Sequence, residues 1–214
     1  GNGKFATSES KITFSYTFYL LNGAIIEQSD PEGIEVTLSQ LIPGLAEGFT
    51  YFDEGSEGTL FIHPLLGYGY VNQNGVPAGS VLIFDIKILK ITNPEDEILA
   101  YLATNNLEAQ KSETGLYYII NEAGSGTEIT STSTATIVYK GYLIDGTEFD
   151  ASDANGVKFN LSNLIPGFTE GVTYLKEGGK AKLILPPSLA YGTTGSGSIP
   201  PNTVIIFDIE VKTL

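Results

Sequence analysis

The chain has no cysteine, no methionine, no tryptophan and no arginine, and it has a single histidine. Without cysteine there are no disulfides, no thiolate nucleophile and no thiolate metal ligands, and the redox compartment leaves no mark. One imidazole, His63, cannot build a metal cluster, and no nucleophile that it could activate is visible beside it in the sequence. Eleven lysines against 25 acidic residues leave a net charge of −14. A basic footprint for nucleic acid is therefore missing, as is attraction to an anionic membrane surface. No run approaches the roughly 20 apolar residues of a membrane span, so no direct membrane insertion is expected.

Near-motifs fail on inspection. GSGTEI at 124–129 lacks the third glycine of a dinucleotide fingerprint. DASDANG at 150–156 has its glycine one position late for a calcium loop, and no glutamate closes it. Asn160-Leu-Ser162 spells a glycosylation sequon, a triplet that arises often by chance. The usual apparatus of covalent or metal catalysis is absent, and no cofactor is called for.

What the chain does have is a repeat. Tyr16 and Tyr139 stand 123 positions apart, and the offset holds without a gap from Gly1/Gly124 to Asp85/Asp208. LSQLIPGLAEG at 38–48 matches LSNLIPGFTEG at 161–171, and VLIFDI at 81–86 matches VIIFDI at 204–209. About 40% of the paired positions are identical. A match this long exceeds the unit of a stacking solenoid and fits two copies of one globular domain. His63 has Pro186 as its counterpart, which marks the histidine as incidental.

Both copies alternate short β-branched or aromatic runs with Gly, Asn, Asp and Pro turns, a strand-rich pattern. Asp145-Gly146 and Asn22-Gly23 predict hairpins at equivalent places. IPGFTEGVTYL and IPGLAEGFTYF each predict one short helix with proline in the first turn, where its missing donor costs nothing. Between the copies, Asn93 as N-cap, Pro94, three acidic residues and Ile98, Leu99 and Leu102 at helical spacing predict a helix of about a dozen residues that acts as a spacer. The Ser/Thr tract at 130–136 has strand counterparts in the first copy and is expected to be ordered. Leu116–Ile120 reads as a strand without a counterpart before the first copy, so the chain is expected to begin inside a longer precursor.

The segments VYKGYLIDGTEFDAS, LIPGFTEGV, AKLILPPSLAYG and SIPPNTVIIFDIEV, in that order, make residues 115–214 resemble the FKBP-type peptidyl-prolyl cis–trans isomerases. The resemblance implies an α+β fold class: two FKBP-like domains, each an antiparallel sheet wrapped around one short helix, joined by a helical linker. The expected divisions are 1–92, a divergent domain that lacks its first strand, 93–112, the linker, and 113–214, the isomerase domain. It also implies roles. Tyr139, Phe149 and Phe207 would line a proline-sized pocket, extended by Phe159 and floored by Phe168. Leu164 and Ile165 would close one side, the Ile165 N–H being available to a substrate carbonyl. Asp150 would sit at the rim, Tyr191 would offer its hydroxyl, and Ile199 would close the pocket from the loop at 193–199. No nucleophile or cofactor is required for such chemistry.

The first copy keeps Tyr16, Leu41, Ile42, Tyr68 and Phe84, but has Ile26, Glu27, Val36 and Leu45 where the second has Phe149, Asp150, Phe159 and Phe168. Three ring positions change together, so this copy is expected to hold the fold with little or no turnover. The expected partners are proline-containing polypeptides and macrolide ligands of the family. The alternative is a non-catalytic module that uses the same fold for protein interaction or chaperoning. An acidic, cysteine-free tandem protein with a truncated-looking start is expected in a bacterial periplasm or anchored at a surface.

Overall fold

The computed structural model describes residues 1–214 as two compact units, Gly1–Asn93 and Pro94–Leu214. The first unit contains β1 (Lys11–Leu20), β2 (Ile25–Gln28), β3 (Ile34–Thr37), α1 (Pro43–Phe49), β4 (Glu57–Ile62) and β5 (Leu82–Thr92). Its sheet runs β2-β1-β5-β4, with β3 also paired to β1, and every pairing is antiparallel. The second unit contains α2 (Pro94–Thr104), β6 (Gln110–Lys111), β7 (Tyr117–Glu122), β8 (Thr134–Leu143), β9 (Glu148–Ala151), β10 (Val157–Asn160), α3 (Pro166–Thr173), β11 (Lys180–Leu185) and β12 (Ile205–Thr213). Its sheet runs β10-β8-β12-β11-β7-β6, with β9 also paired to β8. Each unit is thus an antiparallel sheet around one short helix, an α+β architecture as the sequence implied.

Alternation fixes which face of each sheet is wet. On β1, Ile12, Phe14, Phe18 and Leu20 are buried with less polar residues of the strand between them, and on β8 Ala135 and Ile137 do the same. Both short helices start with proline at the first turn, and the preceding Ile42 and Ile165 are extended, with ψ of 146° and 145°. Proline imposes that extension on the residue before it, so the helix entry is set locally. Phe168 and Val172 then face inward from α3 onto Leu183, Phe207 and Ile209 of the core. Leu45 and Phe49 do the same from α1.

The helix predicted between the copies spans Pro94–Thr104, and it is a packed element of the second unit. Ile98 and Leu102 are buried with Tyr117, Ile184, Val204 and Ile206 on the face of the sheet away from α3. Asn93 Oδ1 accepts from the Ser10 hydroxyl. The Ser/Thr tract is ordered: the Thr130 N–H donates to Ser133 Oγ, Ser133 N–H donates to the Thr130 carbonyl, and Thr134 begins β8.

Candidate functional site

In the second unit, residues from four elements and two loops enclose a cavity of about 290 Å³. Its wall comprises Tyr139 from β8, Asp150 from β9, Phe159 from β10, Phe168 from α3 and Phe207 from β12, with Asn163, Leu164, Ile165 and Tyr191 from the connections. Eight of the ten positions expected from the resemblance therefore meet around one space. Phe149 and Ile199 lie off that wall. Phe149 stands edge-on to Phe207 at 5.6 Å and 90°, behind the ring that faces the cavity. Ile199 is 6% exposed and packs in the core, in a tight turn where Ser196 and Ile199 exchange backbone hydrogen bonds. Asn163, which the sequence reading passed over, is on the wall; its counterpart Gln40 lines the equivalent cavity in the first unit, and that shared placement was the available signal.

The rings are arranged edge to face rather than in parallel, which suits their quadrupoles. Phe168 meets Phe207 at 5.0 Å and 88°, and Tyr139 meets Phe168 at 6.2 Å and 87°. This leaves ring faces and edges toward the cavity and no charged group on its floor. Two polar anchors sit on the wall. The Tyr139 hydroxyl donates to Asp150 Oδ2 at 2.8 Å. Burial, and then the Asp150 carboxylate beside it, push its pKa up to about 12. Tyr191 is raised by the same causes in the same order, so both phenols are neutral at ordinary pH. The Ile165 N–H, at the open start of α3, donates to no acceptor in the protein. An apolar space with a neutral hydroxyl and an unused amide can receive a carbonyl-bearing, ring-sized group; it has nothing with which to attack it.

The first unit has a smaller counterpart, about 210 Å³, lined among others by Tyr16, Glu27, Leu41, Ile42, Leu45, Tyr68 and Phe84. Burial and then Glu27 push the Tyr16 pKa up to about 12, so the phenol–carboxylate pair survives the Asp-to-Glu change. The aromatic content is redistributed rather than lost. Phe18 occupies the position of Gly141 and stacks on Phe84 at 4.5 Å and 4°. Phe14, in place of Ile137, meets Phe49, in place of Val172, edge-on at 4.6 Å. In the second unit a Cβ on Gly141 would lie 2.6 Å from the Phe149 ring and 2.7 Å from Phe207. Glycine there admits Phe149; phenylalanine there goes with Ile26. The sequence reading followed only the family's pocket positions, and so counted three losses without the three gains.

Comparison with known proteins decides the family. The description FKBP-type peptidyl-prolyl cis-trans isomerase matches residues 2–89 and again 126–212. The chain belongs to that family. FKBP-type peptidyl-prolyl cis-trans isomerase FkpA of Escherichia coli (strain K12) is 49% identical over 102 residues, covering 47% of this chain and 38% of the relative. A probable FkpA of Neisseria meningitidis serogroup B is 49% identical over 100 residues, covering 45% and 37% respectively. Among solved structures, the crystal structure of FkpA from Escherichia coli matches with a TM-score of 0.52 and 41% identity, covering 56% of this chain and 58% of that one. The chain thus spans well under two thirds of the FKBP-type relatives it matches. No helix is long and apolar enough to cross a membrane.

Proposed function

We propose that the second unit catalyses cis–trans isomerisation of Xaa–Pro bonds in polypeptides, using the cavity between Tyr139, Phe159, Phe168, Tyr191 and Phe207. The observation that carries this reading is that the cavity is aromatic and uncharged at its floor, yet offers two carbonyl-directed donors, Tyr191 and the Ile165 N–H. Rotation about a prolyl amide must break its resonance, over a barrier of about 20 kcal/mol. The twisted amide is less charge-separated than the planar one. A water-poor aromatic space disfavours the planar ground state, and donors placed for the rotated carbonyl favour the transition state. Lowering the barrier by about 8 kcal/mol corresponds to roughly a millionfold acceleration. Proton transfer, metal and cofactor have no part in it.

The domain division 1–92, 93–112 and 113–214 belongs to this reading, as do all ten site positions. Phe149 acts through Phe207 and Ile199 through the loop that carries it. Proline-containing chains are the substrates, macrolides are competing ligands, and assistance to folding is the role. A bacterial periplasmic or surface location fits the acidic, cysteine-free chain and its bacterial relatives.

The first unit favours a second reading for itself. Its cavity persists with a shortened floor, Leu45, and with Phe18 stacked flat on Phe84, so it binds chain with little turnover. The test is protease-free exchange of an Xaa-Pro peptide measured by NMR on the full chain and on Phe168→Leu with Phe159→Val, which installs the first copy's residues in the second. Loss of most turnover with the fold intact supports the assignment. Unchanged turnover in that variant places the activity elsewhere.

A further inference from the structure

The repeat allows each surface of one unit to be read against its counterpart, and one surface differs in kind. In the second unit β11 is covered along its outer edge by β7, with Ile184 opposite Tyr117, Lys182 opposite Ile119 and Lys180 opposite Glu122. In the first unit the equivalent strand, β4, ends the sheet and has no neighbour on that side. Phe61, the counterpart of Ile184, is 69% exposed where Ile184 is fully buried. An open edge next to an exposed aromatic is a template for strand addition.

The charges say what kind of strand fits. Across the second unit the row Glu122–Lys180–Glu210 alternates in sign, and Lys180 Nζ lies 2.8 Å from Glu122. In the first unit the same row is inverted: Glu57 stands where Lys180 does, and Lys87, where Glu210 does, reaches it at 2.6 Å. The missing third member must be a cation. A strand like β7 would set Glu122 against Glu57, and like charges directly opposite destabilise a pair. A second copy docking edge to edge fails for a related reason, since Glu57–Ile62 contains no basic residue.

We propose that the free edge of β4 binds an extended segment of another polypeptide, antiparallel to it, with a lysine or arginine opposite Glu57 and an apolar side chain against Phe61. This site is independent of the prolyl cavity, and its probes contain no proline.

The experiment uses the full chain and two fluorescein-labelled peptides, residues 112–122 as they stand and the same peptide with Glu122→Lys. Fluorescence anisotropy at low salt should show the lysine peptide bound about five- to tenfold more tightly, an advantage that shrinks as salt screens it. Glu57→Lys should invert the preference, Phe61→Ser should weaken both peptides, and amide exchange in β4 should slow on binding. Four results overturn the proposal: neither peptide binding at millimolar concentration; equal affinities that ignore Glu57→Lys; β4 amides protected in the free chain as strongly as those of β11; or protection that rises with protein concentration alone, which would make the edge an interface between copies.

Discussion

Gly141→Ala places one methyl group where two rings already stand. Gly141 is paired with Phe207 on one side and with Asp150 on the other. The backbone of β8 therefore cannot retreat without breaking both ladders, and the rings must move. A Cβ at 2.6 Å from Phe149 and 2.7 Å from Phe207 is closer than carbon atoms approach, and Phe207 is only 5% exposed. Overpacking of this kind costs about 1–3 kcal/mol. The displaced group is the ring facing the cavity, so turnover should fall as well. The first copy supplies the compensating change. Adding Phe149→Ile removes one of the two collisions, and a double-mutant cycle should give a favourable coupling of about 1 kcal/mol, within the range for residues in contact. The assays are urea unfolding of the second unit followed by amide exchange of Leu183 and Phe207, and prolyl exchange on the same samples. If Gly141→Ala is neutral in both, or if the two changes simply add, the reasoning that glycine is there to admit Phe149 is refuted.

Phe168→Ala should destabilise the second unit by about 3–5 kcal/mol and abolish its turnover, measured by denaturation and prolyl exchange, since the ring is both core and cavity floor. Leu102→Ala should cost the same unit about 2–5 kcal/mol by unfolding, because α2 is packed on its sheet rather than free. Tyr16, Tyr139 and Tyr174 are each raised to about 12. Their folded pKa exceeds the unfolded value near 10, so their contribution is fully present below about pH 10 and is lost as pH climbs through 12; an unfolding titration should show loss of stability confined to that window. Asp53 is lowered to about 2 by the Ser56 hydroxyl and then the Gly3 N–H, so its contribution is present above about pH 4 and fades toward pH 2; Asp53→Asn should flatten that acid limb.

Much of this was legible in the sequence because the chain repeats it. The Asn-Gly and Asp-Gly hairpins, the proline-led helices and the apolar IFDI strands are local signals, and each recurs at the same offset. The cavity's membership was legible only through the family, since nothing in the spacing of Tyr139, Asp150 and Tyr191 says that three distant segments converge. What escaped was compensation at a distance. Phe18 and Ile26 lie on different strands, and their exchange of bulk with Gly141 and Phe149 is visible only when the rings are seen against Phe84 and Phe207. The packing of α2 escaped for a similar reason: an acidic first turn with Ile98 and Leu102 reads as a helix, but only Ile184 and Ile206 show what it covers. Ile199 was assigned from its loop, and the backbone pairing with Ser196 carries it into the core instead.

The paired change at 18/26 and 141/149 also limits how the two halves of the coding sequence can be recombined. Their similarity invites crossing over between repeats, yet a junction falling in the hairpin between the two strands unites Phe18 with Phe149, or Gly141 with Ile26. The first hybrid has one ring too many above its sheet, and the second has a hole. Only junctions upstream of residue 18 or downstream of residue 26, and their equivalents, carry the pair across intact, so the most similar-looking stretch is one where exchange is least tolerated.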